Sequence, residues 1–201
     1  GKRPWPALSS EAAMLYKQAD ETIAKQAGYL SYEEYFGINV LTRKLAEMER
    51  LTALNRLSAA HPVTVFTSSH SPHLSSINGH VFPAIDYQTD MYKVFHLSRI
   101  NLNFTMPSIE SGIPLRVFDI MSVGGFCLTN YQAELDDLFT VGKDLDVFHD
   151  TDELIEKCLY YLMHEDERLR IAINGYQAVR EKHTFQHRLQ AMLRIADMKK
   201  S

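Results

Sequence analysis

The sequence has little of several features that would place a protein in a class at once. Only two cysteines occur among its 201 residues, too few for a fold held together by disulfides. Cys127 and Cys158 both stand in apolar surroundings. We therefore expect small buried hydrophobic residues rather than a disulfide or a pair of metal ligands. No apolar run approaches the ~20 residues that a membrane-spanning helix needs, so we predict no transmembrane segment.

Basic residues are not in excess either. The 21 lysines and arginines are outnumbered by 25 aspartates and glutamates, which gives a net charge of −4. A basic patch is the electrostatic mark of nucleic-acid binding, so we expect no nucleic-acid partner. Nothing in the first residues resembles a signal peptide. Together with the two unpaired cysteines, this predicts a cytoplasmic protein.

Metal-ligand patterns are weak. His70 and His73 stand three apart around Pro72, but no acidic or cysteine residue lies near them at ligand spacing. His164 opens a charged stretch that lacks the second histidine of an H-E-x-x-H motif. We therefore predict no metal site.

Two regions differ in their patterning. Residues 1–58 show apolar positions at helical spacing and no catalytic pattern, which predicts a helical packing segment. Its helices would begin at the cap Ser10, at the capping box 31–34, and at about Asn39. In residues 59–201, short β-branched runs alternate with helical patterns. This predicts one Rossmann-like parallel sheet with helices on both faces.

The α/β region has its own order of predicted elements. Strands are expected at 62–67, 99–104, 126–129 and 145–148, with an extended piece at 79–87 broken by Pro83. Helices are expected at 88–98, from Pro114 to the two glycines at 124–125, at 133–139, after the cap Thr151, up to about Lys182, and from about Thr184.

The central stretch runs from Glu110 to Gly125 and reads loop, helix and glycine stop between two strands. The free backbone N–H groups at a helix start favour anions, so those of Ser111, Gly112 and Ile113 are candidates to bind a phosphate. Arg116 adds a charged fork suited to a pyrophosphate, and Asp119 lies on the same helix face, where a carboxylate can accept two ribose hydroxyls. The alternative is an ordinary Arg116–Asp119 surface pair, worth only ~0.2–0.5 kcal/mol.

Two further loops follow predicted strands. Tyr131 and Gln132 come directly after the strand 126–129, and the loop 68–78 with His70 follows the strand 62–67. Ligands of open α/β sheets bind at the carboxyl ends of the strands. These residues are therefore candidate contacts to a sugar or a phosphate, and a plain solvated loop is the alternative for His70.

Several motifs together resemble the CgeB-like bacterial glycosyltransferases, also called the spore-maturation-protein type, within the two-domain GT-B enzymes. The motifs are Ile100–Asn103, Gly112–Asp119, Gly124–Tyr131, Glu134–Phe139 and His183–Arg188. The resemblance implies that Asp119, five residues before Gly124, binds the donor ribose. It gives Glu110 a place near that of an earlier motif glutamate, one residue out of register. It also places Phe82 or Ile85 near the nucleobase, with packing in the core as the alternative.

The resemblance implies a nucleotide-sugar-dependent glycosyltransferase that takes its sugar from a nucleoside-diphosphate donor, expected to be UDP-linked, without a metal or other cofactor. The strands suffice for one sheet only. We therefore expect the donor-binding piece of a longer enzyme that lacks its N-terminal acceptor domain and has little activity alone. A sugar-nucleotide epimerase of GT-B architecture and a non-catalytic interaction module that keeps the fold are the alternatives.

Overall fold

The computed structural model describes residues 41–69, 71–106 and 111–198, with Gly37 and Ile109. The chain divides into two compact units, residues 1–48 with 106–108 and residues 49–105 with 109–201. In the first unit, the hydroxyl of Thr42 donates a hydrogen bond to the carbonyl of Gly37 over 2.8 Å. The helices predicted around Ser10 and Ser31 lie outside the described residues, and the domain boundary at 58/59 stays a prediction.

The described elements alternate between strands and helices. In chain order they are α1 (Thr42–Ala60), β1 (Val63–Thr67), a 3-10 helix (Pro72–Ser76), β2 (Gly79–Pro83), α2 (Met91–Leu97), β3 (Asn101–Asn103), α3 (Leu115–Ser122), β4 (Cys127–Asn130), α4 (Leu135–Leu138), β5 (Asp146–Phe148), α5 (Thr151–Met163), α6 (Glu165–Lys182) and α7 (Phe185–Met198). All the strands predicted from sequence are present, and every pairing is parallel.

The strands form two sheets, where the sequence had suggested one. β1 pairs with β2, and β4 lies between β3 and β5. Residues of both β1 and β3 line a cleft of about 860 Å³, which lies where a single sheet would continue. The order is therefore β2–β1, cleft, β3–β4–β5. Among the described residues, no strand pairing joins β1 to β3, so the sheet is interrupted where its strand order reverses.

Helices cover both faces of the three-stranded sheet, as predicted. Along β4, Leu128 points into one apolar cluster and Cys127 into another, because successive strand residues face opposite sides. The first cluster adds Leu57 of α1 and Leu154 of α5, and the second adds Ile120 of α3. Fully burying a leucine or isoleucine side chain contributes ~1.5–3 kcal/mol, so both faces stabilise the fold.

The two cysteines fit the sequence prediction. Both are buried and unpaired, Cys127 in one cluster and Cys158 in the other. Burial raises the pKa of each thiol to about 12. They are packing residues, and their thiols remain protonated and unreactive at neutral pH.

Two helix starts differ from the prediction. α2 begins at Met91 instead of Gln88, because the Asp86 carboxylate accepts the backbone N–H groups of Gln88 and Thr89 and holds a turn there. The cap of α5 is Asp150 rather than Thr151. Its side chain accepts the N–H of Glu153 over 2.9 Å.

The charged stretch after α5 belongs to a helix. α6 begins at Glu165, and Arg168 in its first turn is buried. Its guanidinium donates to the carbonyl of Arg99 over 2.6 Å and to the carboxylate of Glu165 over 2.9 Å. Arg168 thus joins α6 to the residues that lead into β3. No helix in the described part of the chain combines the length and apolar character needed to cross a bilayer.

Candidate functional site

Helix α3 carries the central candidate residues and is firmly placed. Its buried side is formed by Val117, Ile120 and Met121. Two glycine N–H groups close its end, that of Gly124 bonding to the carbonyl of Met121 and that of Gly125 to the carbonyl of Ile120, each over 3.0 Å. This is a Schellman arrangement, and Gly124 adopts the left-handed φ of 75° that it requires.

Gly125 has a separate role in packing. A Cβ at this position would lie 2.7 Å from the carbonyl oxygen of Phe95 and 2.9 Å from Nδ2 of Asn101. The Asn101 amide itself donates to the carbonyls of Phe95 and Phe126, over 2.9 and 3.2 Å. Only a residue without a side chain lets α3, α2 and the start of β4 approach this closely.

The exposed side of α3 holds a three-residue cluster. The Tyr87 hydroxyl, from the turn before α2, donates a hydrogen bond to Oδ2 of Asp119. The guanidinium carbon of Arg116 lies 5.7 Å from the ring centre of Tyr87 and 5.4 Å from that of Phe95. The hydrogen bond to Asp119 raises the pKa of Tyr87 to about 12, which keeps the phenol protonated as a donor.

Arg116 and Asp119 do not form the surface pair that their spacing allows. In the described part of the chain, Arg116 has neither an ion pair nor a side-chain hydrogen bond; its guanidinium lies over two aromatic rings instead. Arg116 is exposed and Asp119 is half-buried. The two side chains therefore share one face of α3 without forming an ion pair with each other.

The loop before α3 lies at the carboxyl edge of β3. Pro114 directly precedes the helix, and its carbonyl accepts the N–H of Val117 over 3.1 Å. Gly112 has a φ of 100°, and the space in front of its Cα is open. Ser111 is exposed, and Ile113 is half-buried against the cluster that contains Ile120. Glu110 lies outside the described residues.

A buried polar network fixes the same edge of the sheet. The side chain of Asn103 donates to the hydroxyl of Thr129 over 2.9 Å, and Asn130 accepts the backbone N–H of Thr105 over 2.6 Å. Asn103, Thr105 and Thr129 are each at least nine-tenths buried. The network ties the end of β3 to that of β4.

Tyr131 and Gln132 follow β4 directly. Because β3 and β4 are parallel neighbours, these two residues lie on the same edge as the loop before α3, as the sequence predicted. The side chain of Tyr131 already has two partners within the domain. Its hydroxyl donates to Asp136 over 2.9 Å, and its ring stacks on His149 with the centres 5.2 Å apart.

The cleft between the two sheets extends to α3. Arg116 of α3 lines it together with Phe66 of β1 and Ile85 of the segment after β2. Phe82 is exposed on β2 and stacks on Phe66 with ring centres 5.4 Å apart. Within the described residues, neither Phe82 nor Tyr131 shares a hydrogen bond or ring contact with Arg116 or Asp119. His70 lies outside the described residues.

Carboxylates elsewhere have structural partners. The chain contains two Asp-x-Asp pairs, Asp144 with Asp146 and Asp150 with Asp152. In the first pair, Asp144 accepts the N–H of Thr140, and Asp146 accepts hydrogen bonds from Lys157 and Tyr161. In the second pair, Asp150 accepts the N–H of Glu153, and Asp152 accepts a hydrogen bond from Arg56. Across residues 41–69, 71–106 and 111–198, no three His, Cys, Asp or Glu side chains are grouped so that they could hold a metal ion.

Sequence reasoning missed two parts of this site. Tyr87 stands 32 residues before Asp119, and an exposed tyrosine in a polar turn was the only local signal for it. The buried network had a clearer signal, since Asn101 and Asn103 alternate with Ile100 and Leu102 in a strand. Buried amides need hydrogen-bond partners, and this pattern implies a polar network beneath the strand end.

The sequence comparison identifies the family. The family model described as glycosyl transferase-like matches residues 45–194. The chain belongs to the glycosyltransferase-like family. No curated individual protein matches it. The match includes α3 with Arg116 and Asp119, Tyr87 and both sheets, so the candidate site lies within the glycosyltransferase-like domain.

Proposed function

We propose that this glycosyltransferase-like domain is the nucleotide-sugar-binding half of a CgeB-like bacterial enzyme, and that an acceptor domain elsewhere in a longer protein completes it. The main support is that Arg116 and Asp119 do not form an ion pair with each other. They are adjacent on the exposed side of α3, yet their charges do not neutralise each other. A nucleoside diphosphate offers both a diphosphate for the cation and a ribose for the carboxylate.

The diphosphate would lie at the start of α3. The N–H groups in the first turn of a helix have no partner within it, and the helix dipole favours an anion there. In the loop before α3, the space in front of the Gly112 Cα is open. The guanidinium edge of Arg116 would contribute two parallel hydrogen bonds, and its charge would stabilise the leaving diphosphate as the sugar departs.

The ribose would lie against Asp119. Tyr87 uses Oδ2 of this carboxylate, and Oδ1 has no hydrogen-bond partner among the described residues. A carboxylate offers about four lone-pair positions, so hydroxyl groups can be accepted beside Tyr87. The nucleobase would then extend into the cleft near Ile85 and Phe66, at the reversal of strand order where open α/β sheets bind ligands.

Calorimetric titration with UDP, GDP, dTDP and CDP tests the proposal, and UDP is the expected ligand. Arg116→Ala and Asp119→Ala should each weaken binding by ~1–3 kcal/mol, the cost of removing one partner of a charged hydrogen bond. Arg170→Ala is a matched control, because Arg170 is an exposed arginine on α6. Failure of every diphosphate to bind at millimolar concentration, in both this domain and the full-length protein, would refute the proposal. Product analysis on the full-length protein separates sugar transfer from epimerisation.

A further inference from the structure

The side chains of Arg116 and Asp119 would normally attract each other. They are three residues apart on a helix, which places their side chains on the same face. Paired in this way, each would satisfy the other, and both would be less available to a ligand. In the structure a third residue, Tyr87, contacts both of them.

Tyr87 uses two different parts of its side chain. Its hydroxyl donates to Oδ2 of Asp119, and its ring lies 5.7 Å from the guanidinium carbon of Arg116. Phe95 contacts the same guanidinium from 5.4 Å. Contacts of this length between a guanidinium and aromatic rings are attractive. They require no hydrogen-bond acceptor, and within the described residues the N–H groups of Arg116 donate to no side chain.

Tyr87 is itself held in place. The preceding residue, Asp86, accepts the backbone N–H groups of Gln88 and Thr89, each over 2.8 Å. The ring of Tyr92, in the first turn of α2, lies 5.9 Å from the Tyr87 ring. The side chain is thus presented by a stabilised turn, although the residue is 41% exposed.

We propose that Tyr87 is a positioning residue of the donor site, which keeps Arg116 and Asp119 apart so that one binds the diphosphate and the other binds the ribose. The inference rests on the proposed function, and it assigns Tyr87 a role through these two side chains rather than in the chemistry itself. The hydroxyl orients Asp119 through Oδ2 and leaves Oδ1 for the ribose, and the ring keeps Arg116 away from the carboxylate.

Removing the two parts of the Tyr87 side chain separately tests this. Tyr87→Phe keeps the ring and loses the hydroxyl. Its affinity for the nucleoside diphosphate that binds the parent should fall about tenfold, a typical effect of one lost hydrogen bond to a charged group. Its affinity for inorganic pyrophosphate should be unchanged. Tyr87→Leu loses the ring as well, and should also weaken pyrophosphate binding.

A double-variant comparison assigns the effect to Asp119. In an Asp119→Ala background, Tyr87→Phe should cause no further loss of nucleoside-diphosphate affinity. Tyr160→Phe is the matched control, since Tyr160 is similarly exposed and its hydroxyl donates to Glu167 over 2.7 Å. Parent-like nucleoside-diphosphate binding by Tyr87→Phe would overturn the positioning role while leaving the donor site intact.

A measurement without ligand separates this inference from the proposed function. The Nε–H resonance of Arg116 in NMR spectra reports whether an ion pair forms. Asp119→Asn should leave it nearly unchanged in the parent and shift it in Tyr87→Leu, where the pair can form. An equally strong response in the parent would refute the separating role of Tyr87. If no nucleoside diphosphate binds either the parent domain or the full-length protein, the donor site is refuted, and this NMR comparison still decides the role of Tyr87.

Discussion

Replacing either of the two glycines after α3 by alanine should destabilise the domain, and Gly125→Ala should do so more strongly than Gly124→Ala. The two glycines are adjacent in the sequence and equally suggest a helix stop. In the structure they differ, because Gly124 is needed for its backbone conformation and Gly125 for its lack of volume.

The expected magnitudes follow from the neighbours of each added Cβ. At Gly124 the nearest atom would be Nδ1 of His96 at 4.0 Å, so the cost is mainly the left-handed conformation, ~1–2 kcal/mol. At Gly125 the Cβ would meet the Phe95 carbonyl at 2.7 Å and the Asn101 amide at 2.9 Å. Overpacking costs ~1–3 kcal/mol and a displaced amide hydrogen bond about 1 more, so we expect roughly 2–4 kcal/mol.

Urea denaturation followed by circular dichroism measures both losses, and thermal unfolding should agree. For a domain of this size, 1 kcal/mol lowers Tm by about 2–4 °C. Asparagine tolerates the left-handed conformation, so Gly124→Asn should recover part of the loss, whereas Gly125→Asn should recover none. Equal losses for the two alanine variants, or a larger loss at Gly124, would refute the distinct roles assigned to these glycines.

Two other predictions concern helix α5. Asp150→Ala should lower the free energy of unfolding by ~0.5–2 kcal/mol, because the helix loses its cap. Thr151→Ala should change it by no more than about 0.5 kcal/mol. If urea denaturation gives the reverse order, Thr151 is the cap. Partial burial by itself would raise the pKa of Glu153, but hydrogen bonds from His149 and the contact with Lys157 outweigh it and lower the pKa from 4.5 to about 2. The stability that this pKa shift contributes is present above pH 4.5 and is lost as the pH falls towards 2. Between pH 5 and pH 2, the free energy of unfolding should therefore depend less steeply on pH in Glu153→Gln than in the parent.

The order of strands and helices was accessible from the sequence. The alternation of β-branched runs with helical patterns predicted the parallel α/β architecture, and the apolar side of α3 followed from the spacing of Val117, Ile120 and Met121. These features are local, since a period of two or of 3.6 residues is written within one element. The order of the strands and the parallel connections also placed Gly112 and Tyr131 on one edge.

Helix boundaries were less accessible because neighbouring residues compete for the same role. Asp150 and Thr151 are both good caps, and only the hydrogen bond to Glu153 shows which one is used. Asp86 similarly competes with α2 for the N–H groups of Gln88 and Thr89. Such choices differ by about 1 kcal/mol, which a pattern of residue types does not resolve.

By itself, the sequence determined the family, the α/β class and the presence of Arg116 and Asp119 on one helix face. Only the tertiary structure decided what those two charges contact. Tyr87 and Phe95 come from segments 21 or more residues earlier, and they reach α3 because Gly125 lets the backbones pack closely. The tertiary structure also decided the cleft between β1 and β3 and the burial of Arg168. Each depends on segments distant in the chain, whose meeting is set by packing of the whole core rather than by any local preference.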